Sequence, residues 1–109
     1  MKLVNYNMNT RVLKVSLGYG LESINQLLVL VYIAQAGPQG RTVSEVEDHC
    51  DFSQSAASRN CRFLSASFNL ERKGVDLVEC FNDPTDKRVK VFRLNVRGLK
   101  AVAEMENLR

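Results

Sequence analysis

Two groups of residues in this chain have side chains and spacings suited to gripping a polyanion. Ser53, Gln54, Ser55, Ser58, Arg59 and Arg62 share one side of a stretch read at helical periodicity. Opposite them Ala57, Cys61, Leu64 and Phe68 recur at steps of four, three and four, as a packing face does. Short side chains near a helix start let backbone amides approach phosphate, while Gln and Arg reach base edges or the phosphodiester backbone. Lys87, Arg88 and Lys90 form the second group, beside turn-forming residues. The chemistry both groups could do is recognition by charge, reach and planar hydrogen bonding, with no bond made or broken. Read alone, the first group is equally a solvated helix face, and the second equally a set of solubilising charges.

The elements that must position these residues are marked by caps. Thr42 with Glu45 is a capping box, each side chain taking a free amide of the other's segment, so a helix starts there. Ser53 is a second N-cap, with Phe52 placed as a hydrophobic staple onto Ala57, and His49-Cys50-Asp51-Phe52 becomes the turn between two helices. That is helix-turn-helix spacing. Upstream, Ser23 and Gln26 form another capping box. It opens an apolar helix with Ile24, Leu27, Leu28, Val31 and Ala34 in register and Val29, Leu30 and Ile33 filling the other side. Gly37-Pro38-Gln39-Gly40 ends that core helix, and Arg41-Thr42-Val43 adds a short extended piece.

After Leu64 the helical pattern continues through Ser65-Ala66-Ser67-Phe68 and breaks at Lys73-Gly74. Val75 to Phe81 alternates as a strand, Asn82-Asp83-Pro84-Thr85-Asp86 is turn chemistry, and Arg88 to Leu94 is the return strand. Asn95 caps a last helix whose apolar side is Val96, Leu99, Val102, Ala103 and Met105. Residues 1–20 read as a helix in preference to a strand, with Val4, Met8, Val12, Val15 and Tyr19 on one face, serving either the core or a subunit interface. Gly18 and Gly20 mark its end.

At 109 residues and 45% hydrophobic content the chain has material for one core. The net charge of +3 is modest, but its distribution is uneven. Arg59, Arg62, Arg72 and Lys73 face only Glu71 between residues 53 and 75, and Lys87 to Lys100 is also strongly basic. Glu45, Glu47, Asp48 and Asp51 make residues 41–52 acidic. A basic second helix and a basic hairpin are the footprint expected of a protein that meets a polyanion. Cys50, Cys61 and Cys80 are an odd set without a C-x-x-C pair, so small buried thiols in a reducing cytoplasm are expected, with neither disulfide nor zinc. No apolar run approaches membrane-spanning length. Ser53, His49 and Asp48 could be cast as a catalytic triad, but Ser53 is needed as a cap, and no enzyme activity or cofactor is expected.

These elements predict a mostly α, single-domain winged helix-turn-helix with a small β-hairpin wing. Three segments carry a more specific resemblance: Ser53-Gln54-Ser55 with Ser58-Arg59, then Asp83-Pro84-Thr85-Asp86-Lys87-Arg88, then Arg93-Leu94-Asn95-Val96-Arg97-Gly98. They resemble the recognition helix, wing and final helix of the multiple antibiotic resistance regulator (MarR) family over roughly residues 21–105. The resemblance implies a homodimer that binds a roughly palindromic double-stranded DNA site, with residues 1–20 suited to dimerisation and 21–109 as the DNA-binding domain. It places the helix from Ser53 in the major groove and Arg88 in the adjacent minor groove. Asp86 then either orients Arg88 or caps the turn, and Lys87 and Lys90 take phosphates. Departures are Asn60, where the family usually has an apolar residue, about six extra residues between Leu64 and Gly74, and shorter terminal helices. The same fold also serves as a protein-binding module, the other function class these residues allow.

Overall fold

The computed structural model describes residues 10–67 and 71–106. The expected caps set the helix boundaries. Ser23 Oγ accepts from the Gln26 amide at 3.2 Å while Gln26 Oε1 accepts from the Ser23 amide, opening α2 (Ile24–Gln35). Thr42 and Glu45 exchange the same pair of bonds at 3.1 and 2.9 Å to open α3 (Val43–Cys50). Ser53 Oγ accepts from the Ala56 amide at 3.1 Å at the start of α4 (Gln54–Leu64), and Asn95 Oδ1 accepts from the Gly98 amide at 2.8 Å at the start of α5 (Val96–Glu106). Each cap satisfies amides that have no partner within the helix.

The N-terminal segment is helical from Thr10 to Gly18 (α1), with Val12, Val15 and Tyr19 packed against the core. Val4 and Met8, expected on the same stripe, lie outside the described residues. The hydroxyl of buried Ser16 is satisfied by donating to the Val12 carbonyl at 2.8 Å. In α2 the buried set is Leu27, Val29, Leu30 and Ile33, whereas Ile24 and Val31, read as core, are exposed. His49 and Cys50 belong to α3, so the turn between α3 and α4 begins only at Asp51, whose left-handed backbone reverses the chain.

β1 (Arg41–Thr42), β2 (Val78–Asn82) and β3 (Lys90–Leu94) form one antiparallel sheet in the order β1-β3-β2. Arg41 pairs with Phe92 and Thr42 with Val91, so the residue that caps α3 is also hydrogen-bonded into the wing strand. The wing and the helix-turn-helix are thereby one unit. Thr42→Ala removes the cap, and it is expected to lower unfolding stability by about 1 kcal/mol. Chemical denaturation checks this, and a loss within error of zero would mean that water caps α3 equally well.

Three expectations are corrected by tertiary contacts. First, α4 stops at Leu64 instead of continuing through Ser67, and Phe68 lies outside the described residues. Ser65 turns extended, its hydroxyl donating to the Arg62 carbonyl at 2.6 Å, and the chain pairs back on itself. The Val75 amide donates to Phe63 O, Asp76 to Ser65 O and Leu77 to Leu64 O, between 2.8 and 3.1 Å. The extra residues after α4 are therefore an excursion whose described flanks, residues 65–67 and 73–77, pair with each other and are bridged at Ser67–Lys73. Phe63, also missed as core, is buried beside Leu64.

Second, the strand starts at Val78 and not Val75. Asp76 has φ +57°, which interrupts the alternation and lets both Leu77 and Val78 turn inward. The return strand likewise starts at Lys90, leaving Arg88 in the turn.

Third, the inner face of α5 is Gly98, Ala101 and Met105, with Val102 partly buried. Val96 and Leu99, read as core, are 85% and 58% exposed. Gly98 is the reason: a Cβ there would meet the Leu77 carbonyl oxygen, so only the glycine face can approach this closely.

Candidate nucleic-acid interface

α4 divides as its sequence predicts. Ala57, Cys61 and Leu64 are buried with Phe63, while Gln54, Ser55, Arg59 and Arg62 are exposed and Ser58 is half-buried. Ser53 is held as the cap. Arg62 Nε donates to the Ser58 carbonyl at 3.4 Å, laying the guanidinium along the helix, and Arg59 has no carboxylate partner among the described residues. Asn60 returns its amide to the Ala56 carbonyl at 2.8 Å, which satisfies a polar group on a half-buried face. Burial pushes the Cys61 thiol up to about 12, with the Cys50 and Cys80 thiols adding to the rise. Cys80 is exposed, against the expectation that all three thiols are buried.

The wing turn is built by side chains. Asp83 Oδ1 accepts from the Thr85 amide at 2.8 Å, the Thr85 hydroxyl at 2.7 Å and the Asp86 amide at 3.3 Å. The Thr85 hydroxyl first, then the Thr85 amide, hold the Asp83 carboxyl below its usual range against the opposing effect of burial, with the Asp86 amide adding to them. A carboxyl depressed in this way braces the turn above the ordinary carboxylate range and releases it as pH falls through the folded-state value. Asn82 Nδ2 donates to the Lys87 carbonyl at 2.9 Å. Asp83 holding local amides is what the turn chemistry of this segment predicts; the Asn82 bond across the turn was not legible, because it exists only once the turn has its shape.

Asp86 does both jobs that the sequence left open. Its Oδ1 accepts from the Arg88 amide at 3.1 Å, which is the capping role, and from Arg88 Nε at 3.2 Å, which is the orienting one. Arg88 Nη2 reaches Asp86 Oδ2 at 3.4 Å, so one edge of the guanidinium is met at two points while the side chain stays 91% exposed. The guanidinium is aimed without being covered. Lys87 and Lys90 are exposed and have no carboxylate partner among the described residues.

Across α3, α4 and the wing the cations thus fall into two kinds. Arg41 pairs with Glu45 and stacks on Tyr32 at 4.0 Å, and Arg93 pairs with Glu79 and stacks on Phe81 at 4.5 Å. These are occupied within the fold. Arg59, Arg62, Lys87 and Lys90 are left open for something else, and Arg88 is held ready. All of the residues predicted for the interface sit on α4 or the wing; β1 pairs with the wing strand β3 and its Thr42 caps α3, which packs against α4.

The α3–α4 pair, a three-stranded antiparallel sheet ending in a basic hairpin, and flanking helices α1 and α5 make a winged helix-turn-helix fold, and the fold is that of MarR-type structures. Among solved structures, S. aureus MepR in complex with DNA is similar at a TM-score of 0.72 and 21% identity, over 93% of this chain and 74% of that one. The transcriptional regulator Tm0710 of Thermotoga maritima matches at 0.72 and 15% identity, over 93% and 63%, so the chain spans less than two thirds of that protein's length. MarR matches at 0.62 and 17% identity, over 94% and 72%. At these identities the likeness is one of fold. No protein-family model and no curated protein matches the chain. Among the described residues no helix is long and apolar enough to cross a membrane.

Proposed function

We propose that this chain binds double-stranded DNA in a sequence-specific manner as a small MarR-like transcriptional regulator. In this reading α4 lies in the major groove, with Gln54, Ser55, Ser58, Arg59 and Arg62 reaching bases and backbone and the Ser53 end of the helix near phosphate. Arg88 enters the adjacent minor groove, whose narrow AT-rich form concentrates negative potential, and Lys87 and Lys90 take phosphates. The observation that carries this is the separation of the cations: those of α4 and the wing tip are open on a rigid support, while Arg41 and Arg93 are spent internally. MepR, with the same fold, has been solved bound to DNA.

A homodimer is part of the proposal. The exposed large apolar side chains among the described residues are Leu13, Leu17, Ile24, Val31, Val96 and Leu99, all on α1, α2 and α5 and none on α4 or the wing. Ile24, Val31 and Leu99 line a groove of about 990 Å³ between α2 and α5, bordered by the end of α3 and by Val12 of α1. The exposed apolar surface of α1, α2 and α5 is suited to a second copy, and the basic surface of α4 and the wing to DNA.

A salt titration of the wing variants tests the reading. Lys87→Ala and Lys90→Ala are expected to weaken specific and mixed-sequence DNA binding alike, each flattening the logarithmic salt dependence by about 0.9. Arg88→Lys is expected to keep the slope but lose preference for AT-rich flanks, since a compact hydrated ammonium cannot reproduce the guanidinium fork that Asp86 holds. Wild-type affinity and slope in all three folded variants would remove the wing from DNA and favour a protein partner instead.

A further inference from the structure

Arg97, in the first turn of α5, holds two segments distant in sequence at once. Its Nε donates to the Val75 carbonyl at 3.2 Å and its Nη2 to the Tyr19 carbonyl at 3.4 Å, while the guanidinium lies 4.8 Å from the centre of the Tyr19 ring. Tyr19 closes α1. Val75 belongs to the segment returning from the excursion after α4, and its own amide donates to Phe63 O in the last turn of α4 at 2.9 Å. Two hydrogen bonds therefore connect α5 to the C-terminal end of α4. The neighbouring contacts reinforce this link. Asn95 Nδ2 donates to Asp76 O and Oδ1 at 3.1 and 2.9 Å, and Arg72 meets Glu22 at 2.9 Å across the corner between α1 and α2. At Gly20 an added Cβ would come within 2.9 Å of Val75 Cγ1, so the corner sits directly on this segment.

We propose that Arg97 is a positioning residue that sets the angle between the helices carrying the apolar end, α1 and α5, and the reading helix α4. Through that angle it sets the spacing of the two half-sites a dimer can hold. This rests on the dimeric DNA-binding reading above. The lever is long enough to matter. The reading helix is about 16 Å long at about 1.5 Å per residue. A tilt of about 10° at its tethered C-terminal end moves its N-terminal end by about 3 Å, close to the rise of one base pair. Two carbonyl acceptors on separate segments and a ring face make a three-point hold, which a planar guanidinium can satisfy and an ammonium cannot.

The test measures binding of the full chain to a duplex with one half-site, and to duplexes with two half-sites whose spacing changes one base pair at a time. Wild type, Arg97→Ala and Arg97→Lys are compared, with thermal melts. Wild type is expected to show a sharp spacing optimum. Arg97→Ala is expected to bind the single half-site as wild type does but to lose about tenfold on the optimal two-site duplex, flattening the optimum, with Arg97→Lys between the two. If Arg97→Ala does not fold, Arg97→Lys decides by the same criterion. A folded variant that keeps the wild-type optimum, or loses as much on one half-site as on two, overturns the positioning role. Wild-type binding without a spacing preference also overturns it while leaving DNA binding in place. A wild type that binds no duplex overturns the reading beneath it.

Discussion

Replacing Arg59 or Arg62 with alanine is expected to weaken binding to a selected DNA site by roughly 5- to 150-fold, the range of a lost base contact worth ~1 to 3 kcal/mol. Neither change should touch the fold. Both side chains lie opposite the buried stripe of Ala57, Cys61 and Leu64, and alanine is the better helix former. If an arginine reads a base, its loss relaxes preference at one position while mixed-sequence binding falls little. If it meets only phosphate, affinity drops evenly and the salt slope flattens. Binding of each purified variant to the selected duplex and to its single-base variants separates the two. Unchanged affinity in both variants, with melts like wild type, would take α4 out of the interface.

The largest expected effect on stability is at Gly98. Substitution with alanine in an exposed helix would normally help by up to about 1 kcal/mol. Here the new methyl group would meet the Leu77 carbonyl, and a backbone oxygen hydrogen-bonded to the Asn95 amide cannot yield as a side chain could. Overpacking of this kind should outweigh the gain in propensity, for a net loss of about 2 kcal/mol and a fall in melting temperature on the order of 10 °C. Thermal and urea denaturation of Gly98→Ala measures it. A variant as stable as wild type would mean that α5 can shift outward at little cost and that its docking on β2 is loose.

These two sites illustrate what could be read from the chain and what could not. The arginine face of α4, the caps Ser23, Thr42, Ser53 and Asn95, and the clamp between Asp86 and Arg88 all depend on residues within a few positions of one another, where helix and turn geometry is fixed. The excursion after Leu64, the left-handed Asp76 and the pairing of Arg41 and Thr42 with β3 depend on segments distant in sequence. Nothing local in Ser65-Ala66-Ser67 distinguishes one more helical turn from the extended chain that pairs with residues 73–77. The misread face of α5 has the same origin. Val96, Leu99 and Ala103 form the more hydrophobic stripe, yet close approach to Leu77 requires the glycine face, so packing overrode hydrophobicity and left Val96 and Leu99 at the surface. The hold of Arg97 was equally hidden, because its partners, the Val75 and Tyr19 carbonyls, are 22 and 78 residues away in sequence.

In the proposed function the open cations of α4 and the wing form one DNA-reading surface, presented twice by a dimer. Selection of bound sequences from a random duplex pool, read against the same selection with a doubly substituted Arg59→Ala, Arg62→Ala chain, tests it most directly. The wild-type chain is predicted to enrich an inverted repeat with half-sites centred about 10 base pairs or a multiple of that apart and AT-rich flanks where Arg88 reaches, and the double variant to enrich neither. A wild-type pool that stays as random as the input, or a double variant that enriches the same repeat, would contradict it.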